Sequence, residues 1–466
     1  MSTGRFVSTA APRRDAALVA LAAAALAVLL RQDSGFWDGP SLVLDAAEGR
    51  WRHPRHLLLL PALRGWLLAT APLGGSAFDR ATWLNPVLLG FAAYVLHRAF
   101  ARLRLARPRA ALAAALACGT PAALFHASIV DKYLPGFAAG ALAWFAAAAL
   151  AADPRAWRAL ALGAAGALAY AVHAGGAILP LILLPLAFLH LPAAAPRWRL
   201  LGIAALSHVS GIALVQALAA WLDAATSAAG SASFFAGVAG EAWARPHALG
   251  GFLLQEWLVP FAPVVLLGPF ARGAADRPDL RALWLAGTLG YLAAGFSLIQ
   301  DFRGYGCYLL PLASLGAVAA AQAFRPGILL GPTCAGLAIG IGLIVTHEVP
   351  HRSQTLAEWI DANGGPAGAC LLLAAPLDVE TLVLRRPGMP HIDLRPSSNA
   401  EQPAAGIEVG WLDQRIDAER ARGRTVLVSR AAVEWLQAQA TPSAQRILGR
   451  LRARRAGGSS AGHRVE

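Results

Sequence analysis

Eleven times along its 466 residues the chain runs through a long, almost uncharged stretch, at approximately 15–31, 83–101, 110–127, 134–152, 159–174, 176–192, 200–221, 249–270, 281–299, 306–324 and 327–346. At about 1.5 Å of rise per residue, a helix of roughly 20 residues covers the ~30 Å hydrocarbon core of a bilayer. Backbone groups in lipid must be paired within the protein, which a helix achieves inside one segment. The expected fold is therefore an α-helical polytopic membrane protein with about 11 transmembrane helices. Composition agrees: 14% of residues are charged, where soluble domains run near about 25%. The run 57–73 is also apolar, but Pro61, Arg64, Gly65 and Pro72 interrupt it around Trp66, which suits an interfacial helix better than a span. Arg13-Arg14 flanks the first run as in a signal peptide, yet Arg31-Gln32-Asp33 follows with no small-residue cleavage site. That run is read as a retained helix.

The net charge of +13 is almost all arginine, with Lys132 the single lysine. In such a chain the excess is a topology signal and a contact with membrane lipids, not a nucleic-acid footprint. With the N-terminus inside, Arg98 to Arg109, Arg155 and Arg158, Arg197 and Arg199, Arg272 to Arg281, and Arg325 all fall to the cytoplasm. The first outer loop, 32–82, breaks this pattern with Arg50, Arg52, Arg55, Arg64 and Arg80. Binding of an anionic group is the reason it suggests. The transmembrane domain is thus expected over 1–346. Beyond it, mixed helix and strand patterns over 347–456 indicate a small α/β domain, extracytoplasmic on the odd span count, with 457–466 a disordered tail. Cys118, Cys307, Cys334 and Cys370 form neither a disulfide framework nor a CxxC metal pattern.

Ionisable groups cost insertion energy at a membrane boundary and are usually kept for function. Four clusters fall on the outer side: Asp33 and Asp38 with His53 and His56; His126 with Asp131-Lys132-Tyr133; His173 before Gly175-Gly176; and Asp301-Phe302-Arg303-Gly304-Tyr305. Each has a plainer structural reading. Asp33 could merely stop the first span, Asp131 and Lys132 could be a solvated interfacial pair, and Arg303 could pair with Asp301, which contributes little when exposed. His173 could be a packed helix-end imidazole. His53 and His56 have the i, i+3 spacing of zinc ligands, but Pro54 lies between them and no third ligand stands out.

The order of these motifs resembles the GT-C superfamily of membrane glycosyltransferases, and within it the bacterial relatives of protein O-mannosyltransferases. The matching pieces are Asp33-Ser34-Gly35, then Gly49-Arg50-Trp51-Arg52-His53-Pro54, then Trp83-Leu84-Asn85, followed by Asp131-Lys132-Tyr133, Gly163 to His173, and Arg303-Gly304-Tyr305-Gly306-Cys307-Tyr308-Leu309-Leu310-Pro311. Phe36 replaces the family's second first-loop acid, with Asp38 two residues away, and Asp131 stands where glutamate is more usual. The resemblance implies a multi-pass protein of the bacterial inner membrane. It also implies an inverting transfer of a sugar from a polyprenyl-phosphate donor to a glycan, lipid or protein acceptor on the outer face.

That chemistry needs a carboxylate to take the acceptor's proton and cationic donors for the departing phosphate. Asp33 is the expected base, and Asp131 the residue that orients the acceptor or holds a divalent metal, which stays open. Arg303 is the expected phosphate ligand, helped by Lys132 and Arg52, with Tyr133, His53, Asp38, His173 and Tyr305 as further substrate contacts. Two rivals are a transporter for a lipid or polymer precursor and a non-catalytic assembly protein of the envelope that keeps the fold. Against transport, the spans lack the paired broken helices and mid-bilayer charges such sites use.

The arginine loops make the topology testable. Reporter fusions after Arg104, Arg158 and Arg277 should read cytoplasmic, and a fusion after Gly364 extracytoplasmic. A cytoplasmic signal at Gly364 would mean an even number of spans.

Overall fold

The computed structural model describes residues 11–32, 39–49, 56–222, 243–270, 278–298, 305–347, 352–394, 409–438, 442–458 and 461–465. These divide into two compact units, the first comprising residues up to 32, 54–59 and 83–347, and the second 33–53, 60–82 and 348–466.

The first unit is helical throughout. It contains α1 (Ala11–Leu29), and the second unit takes up the loop helices α2 (Gly39–Ala47), α3 (Leu59–Ala69, from its second residue) and α4 (Ala77–Ala81). The chain then continues in the first unit as α5 (Leu84–Arg102), α6 (Arg107–Cys118), α7 (Pro121–Ser128), α8 (Tyr133–Ala152), α9 (Ala156–Val172), α10 (Pro180–His190) and α11 (Arg197–Leu222). Helices over Arg281–Leu298, Leu310–Ala323 and Pro326–Val345 complete it, after a broken pair at Pro246–Leu258 and Ala262–Phe270. Every apolar run of the sequence is therefore helical.

Among the described residues four helices are long and apolar enough to cross a membrane, or up to six if each bent pair is one span. Three of the other runs form apolar helices shorter than a span, at Ala156–Val172, Ala174–His190 and Cys307–Ala323, and two more are broken by bends. Gly119-Thr120-Pro121 bends α6 against α7 by 61°, and a 97° bend splits the pair at 246–270, so the broken helix pairs that the sequence reading lacks are present. Proline favours a helix's first turn and cannot donate inside one, so it divides an apolar run that hydropathy reads as continuous. The 57–73 run yields α3 and a short 3-10 helix at Ala71–Leu73.

Small residues set the helix packing. Successive pairs α1 with α5, α5 with α8, α8 with α9, and α9 with α11 are in contact. At the last interface a Cβ added to Gly163 would lie 2.3 Å from the carbonyl oxygen of Ala204. Close backbone approach of this kind replaces the hydrophobic drive that lipid cannot supply.

The second unit is built on a five-stranded sheet in the order β2-β1-β3-β5-β4, with β1 (Ala369–Leu373), β2 (His391–Asp393) and β3 (Thr425–Ser429) parallel. β5 (Gly462–Val465) runs antiparallel to β3, and β4 (Arg455–Gly458) antiparallel to β5. Leu372, Ile392, Val426, Val428, Leu436 and Ile447 fill its core. The tail at 457–466, expected to be disordered, thus contributes to two strands. Glycines and polar residues hide them in the sequence, and what orders them is the exposed edge of β3, whose backbone groups need partners.

The first-loop segments pack into this same unit. α2 lies against the helix Pro376–Glu380 and the turn after it. Arg64 donates to the Ala46 carbonyl at 3.2 Å, Trp66 Nε1 to the Arg80 carbonyl at 2.7 Å, and His391 Nε2 lies 2.6 Å from Glu48 Oε1. Burial alone would lower the pKa of His391, but the hydrogen bond and charge of Glu48, the Met389 carbonyl and the charge of Asp393 together raise it. A group whose folded pKa is raised stabilises fully below its unfolded pKa, ~6.5 for histidine, and loses that contribution as pH rises through the folded value. The apparent Tm of the purified protein should therefore fall as pH rises above about 6.5. Glu48→Gln should flatten that dependence. An unchanged slope in Glu48→Gln would place the titrating group elsewhere.

Candidate functional site

Within the first unit the start of α5, the α7–α8 junction, the end of α9 and the turn at Cys307–Leu309 bring a set of polar and aromatic side chains together. The local sequence dictates why. Thr120 accepts the Ala123 N–H at 3.3 Å to start α7, and Pro121 fills its first turn. α8 begins beyond an extended Ile129 and is capped by a carboxylate: Asp131 Oδ1 accepts the N–H groups of Tyr133 at 3.0 Å and Leu134 at 3.2 Å. Negative charge at a helix N-terminus satisfies orphan donors and the helix dipole together.

The same carboxylate is gripped from two more directions. Asn85 Nδ2, on α5, lies 3.2 Å from Asp131 Oδ1, 2.7 Å from the Ile129 carbonyl and 3.0 Å from the His126 carbonyl. His126 Nδ1 meets Asp131 Oδ2. All three side chains are buried. Both Asp131 oxygens are therefore engaged inside the protein, and with Asp131 ionised His126 carries its proton on Nδ1.

Tyr133 is next to this network. Its ring lies 5.3 Å from that of His126, 5.1 Å from His173 and 5.4 Å from Tyr308. His173 stacks on His56 at 4.8 Å with the planes 11° apart. Backbone N–H groups define both tautomers: Gly175 donates to His173 Nδ1 at 3.1 Å, and Ala174 to His56 Nδ1 at 3.3 Å. Each neutral ring then holds its proton on Nε2, as a donor. Tyr133, His173 and Tyr308 line a cavity of about 20 Å³, room for a water-sized or hydroxyl-sized group only.

The expected residues divide into those brought together and those beyond view. Asp131, Lys132, Tyr133 and His173 cluster, with Lys132 Nζ 5.6 Å from the Tyr133 ring centroid. Tyr305 lies instead with Phe125 at 4.3 Å and His347 at 6.1 Å, and Tyr308 takes the place beside Tyr133. Asp33, Asp38, Arg52, His53 and Arg303 lie outside the described residues. Among the described residues no three His, Cys, Asp or Glu side chains converge as metal ligands, and His56 is occupied with His173 and the backbone.

Sequence reasoning missed Glu256, fully buried in a π-helical turn at Leu253–Leu258, whose Oε2 accepts the Gly306 N–H at 2.7 Å. It is the lone carboxylate in the apolar run 249–270, a signal that membrane energetics makes legible. The turn it holds is unusual. Tyr305 has φ +47° and Gly306 φ +77°, and a Cβ on Gly306 would come within 2.4 Å of Phe261. Left-handed backbone costs a side-chain-bearing residue about 1 kcal/mol or more, so the Glu256 bond offsets strain next to Arg303.

Two solved structures share this fold. The fold is similar to that of ArnT from Cupriavidus metallidurans bound to undecaprenyl phosphate, with a TM-score of 0.61 and 14% identity over 98% of each chain. It is also similar to the Archaeoglobus fulgidus oligosaccharyltransferase in complex with Zn and sulfate, with a TM-score of 0.53 and 13% identity over 92% of this chain and 70% of that one. No family model matches the sequence, and no curated protein does. The chain shares the fold of these two proteins. At these identities the likeness speaks for the fold alone.

Asn85→Ala should leave buried carbonyls and Asp131 short of a donor, at a cost of about 1–3 kcal/mol. The check is the apparent Tm in detergent, which should drop for Asn85→Ala while an exposed control such as Arg155→Ala stays within a degree or so of wild type. An unchanged Tm in Asn85→Ala would mean the network does not support the fold.

Proposed function

We propose that the chain is an inverting glycosyltransferase of the bacterial inner membrane, moving a sugar from a polyprenyl-phosphate donor to a glycan, lipid or protein acceptor on the outer face. The observation that carries this reading is the end-to-end likeness to ArnT, a structure bound to undecaprenyl phosphate, combined with the gathering of Asp131, Tyr133, His173 and Tyr308 at one place. Asp33 is the general base. The acceptor oxygen attacks the anomeric carbon, its proton passes to the Asp33 carboxylate, and the bond to the phosphate oxygen breaks with inversion. The phosphate leaves as an anion stabilised by the Arg303 guanidinium, whose fork suits it bidentately, with Lys132 and Arg52 adding charge. Neutral His173 and the Tyr133 hydroxyl supply donors for sugar hydroxyls. Asp38 and His53 lie in the same first-loop stretch as the base, and Tyr305 in the same motif as Arg303. Asp131, held by four protein donors, positions Tyr133 and Lys132 at the head of α8. The 347–456 domain and the first-loop helices lie outside the cytoplasm.

Asp33→Asn should insert normally, bind donor and lose about 10²–10⁴-fold in transfer rate, the usual contribution of a general base. Arg303→Ala should weaken donor binding and turnover together, by about 1.5–3 kcal/mol for a charged hydrogen bond, with Arg303→Lys a partial rescue. The measurement is transfer from a polyprenyl-phosphate sugar by purified protein in liposomes, alongside donor binding.

A second reading, a non-catalytic assembly protein that keeps the fold, is favoured by the full engagement of Asp131 and by Phe36 at the second-acid position. Near-normal transfer in Asp33→Asn would end the base assignment. No transfer by the wild type with any donor tried, with folding intact, would favour the assembly protein.

A further inference from the structure

The end of α5 carries a feature that the transfer chemistry does not use. Leu105 N–H bonds the Phe100 carbonyl at 3.3 Å and Arg104 N–H the Ala101 carbonyl at 3.2 Å, the two bonds of a Schellman motif, in which the residue at Arg104's position is left-handed and usually glycine. Here Arg104 adopts φ +63°. A side-chain-bearing residue is strained there where glycine is not, so the position keeps an arginine at a cost to the fold.

Arg104 lines a cavity of about 450 Å³ together with Arg102, His190, Leu189, Leu191 and Pro278, and no carboxylate is among the described lining residues. Arg102 is fixed there by the Phe145 ring, 4.2 Å from its guanidinium carbon. His190 spends both ring nitrogens inside the protein, on the Leu186 carbonyl at 2.9 Å and on Gln322 at 3.2 Å. Two guanidiniums thus share one cavity whose other walls are leucine, alanine and proline with the His190 ring. Like charges held together repel each other, and a phosphate oxygen pair would relieve that repulsion through forked, charge-assisted bonds.

We infer that this cavity, on the face carrying the arginine-rich loops, binds a phosphate group, and that the phosphate belongs to an anionic phospholipid. The ends of α5, α8 and α10 put it at the membrane boundary, and its leucines give an acyl chain or glycerol backbone an apolar wall. The site is separate from the cluster around Asp131 and Tyr133 and stands whether or not the chain transfers sugar.

The test uses the full-length protein purified in a zwitterionic detergent, with apparent Tm read on adding phosphatidylglycerol, phosphatidylcholine or inorganic phosphate. Phosphatidylglycerol should raise the Tm of the wild type, and phosphatidylcholine should not. Arg104→Gly should match or exceed the wild-type Tm without lipid, since glycine suits the motif, and should lose most of the lipid increment. Should Arg104→Gly fail to accumulate, Arg102→Gln serves as the second variant with the same expected loss. An undiminished increment in the variant would overturn the proposal, because the effect would then belong to the general belt of arginines. A full shift from inorganic phosphate at equal concentration would overturn the lipid assignment and leave a free-phosphate site.

Discussion

The contact on which the candidate site depends is the buried Asp131 carboxylate. It caps α8, binds His126 at the end of α7 and receives Asn85 from α5. A single ionised group thus ties three helices where α7 gives way to α8 through an extended backbone. Burying a charge is tolerable only with such complete compensation, and removing one partner of a compensated charge costs far more than the pair contributes. The result is a rigid platform for Tyr133, whose ring touches His126, His173 and Tyr308. Glu256 likewise holds the Gly306 turn, through the Gly306 N–H.

Under the proposed function these hydrogen bonds suit Asp131 to positioning its neighbours. A general base needs a lone pair open to the acceptor, and the Asp131 lone pairs point at protein donors. In the proposed reaction Asp131 acts by holding others, and proton transfer is assigned to Asp33. Structural and catalytic carboxylates look alike in a sequence. They differ in how many donors surround each oxygen, which is a property of three segments that are far apart along the chain.

The second unit shows a parallel effect on a larger scale. Its sheet comes from the last quarter of the chain, yet α2, α3 and α4 of the first loop pack in the same unit. The Glu48–His391 pair and the Arg64 and Trp66 hydrogen bonds hold these loop helices together and to the sheet. Arg64 and Arg80 are among the five loop arginines that break the charge rule. Arg64 is spent on a backbone carbonyl, so part of the apparent anion-binding excess is structural.

Local pattern made much of the fold legible. Apolar runs of helical length, prolines at helix starts and short continuous apolar runs at β1 and β3 act within a few residues, so the sequence alone determined where most helices and the central strands lie. Tertiary structure decided what depends on distant partners. The bends that turn apolar runs into broken pairs, the pairing of a glycine-rich tail with the edge of β3, the clamp on Asp131 and the grouping of Tyr308 with His173 all rest on groups tens to hundreds of residues apart. The physical reason is that hydrophobic periodicity is a local property of the chain, whereas the satisfaction of a buried polar group is a property of everything packed around it.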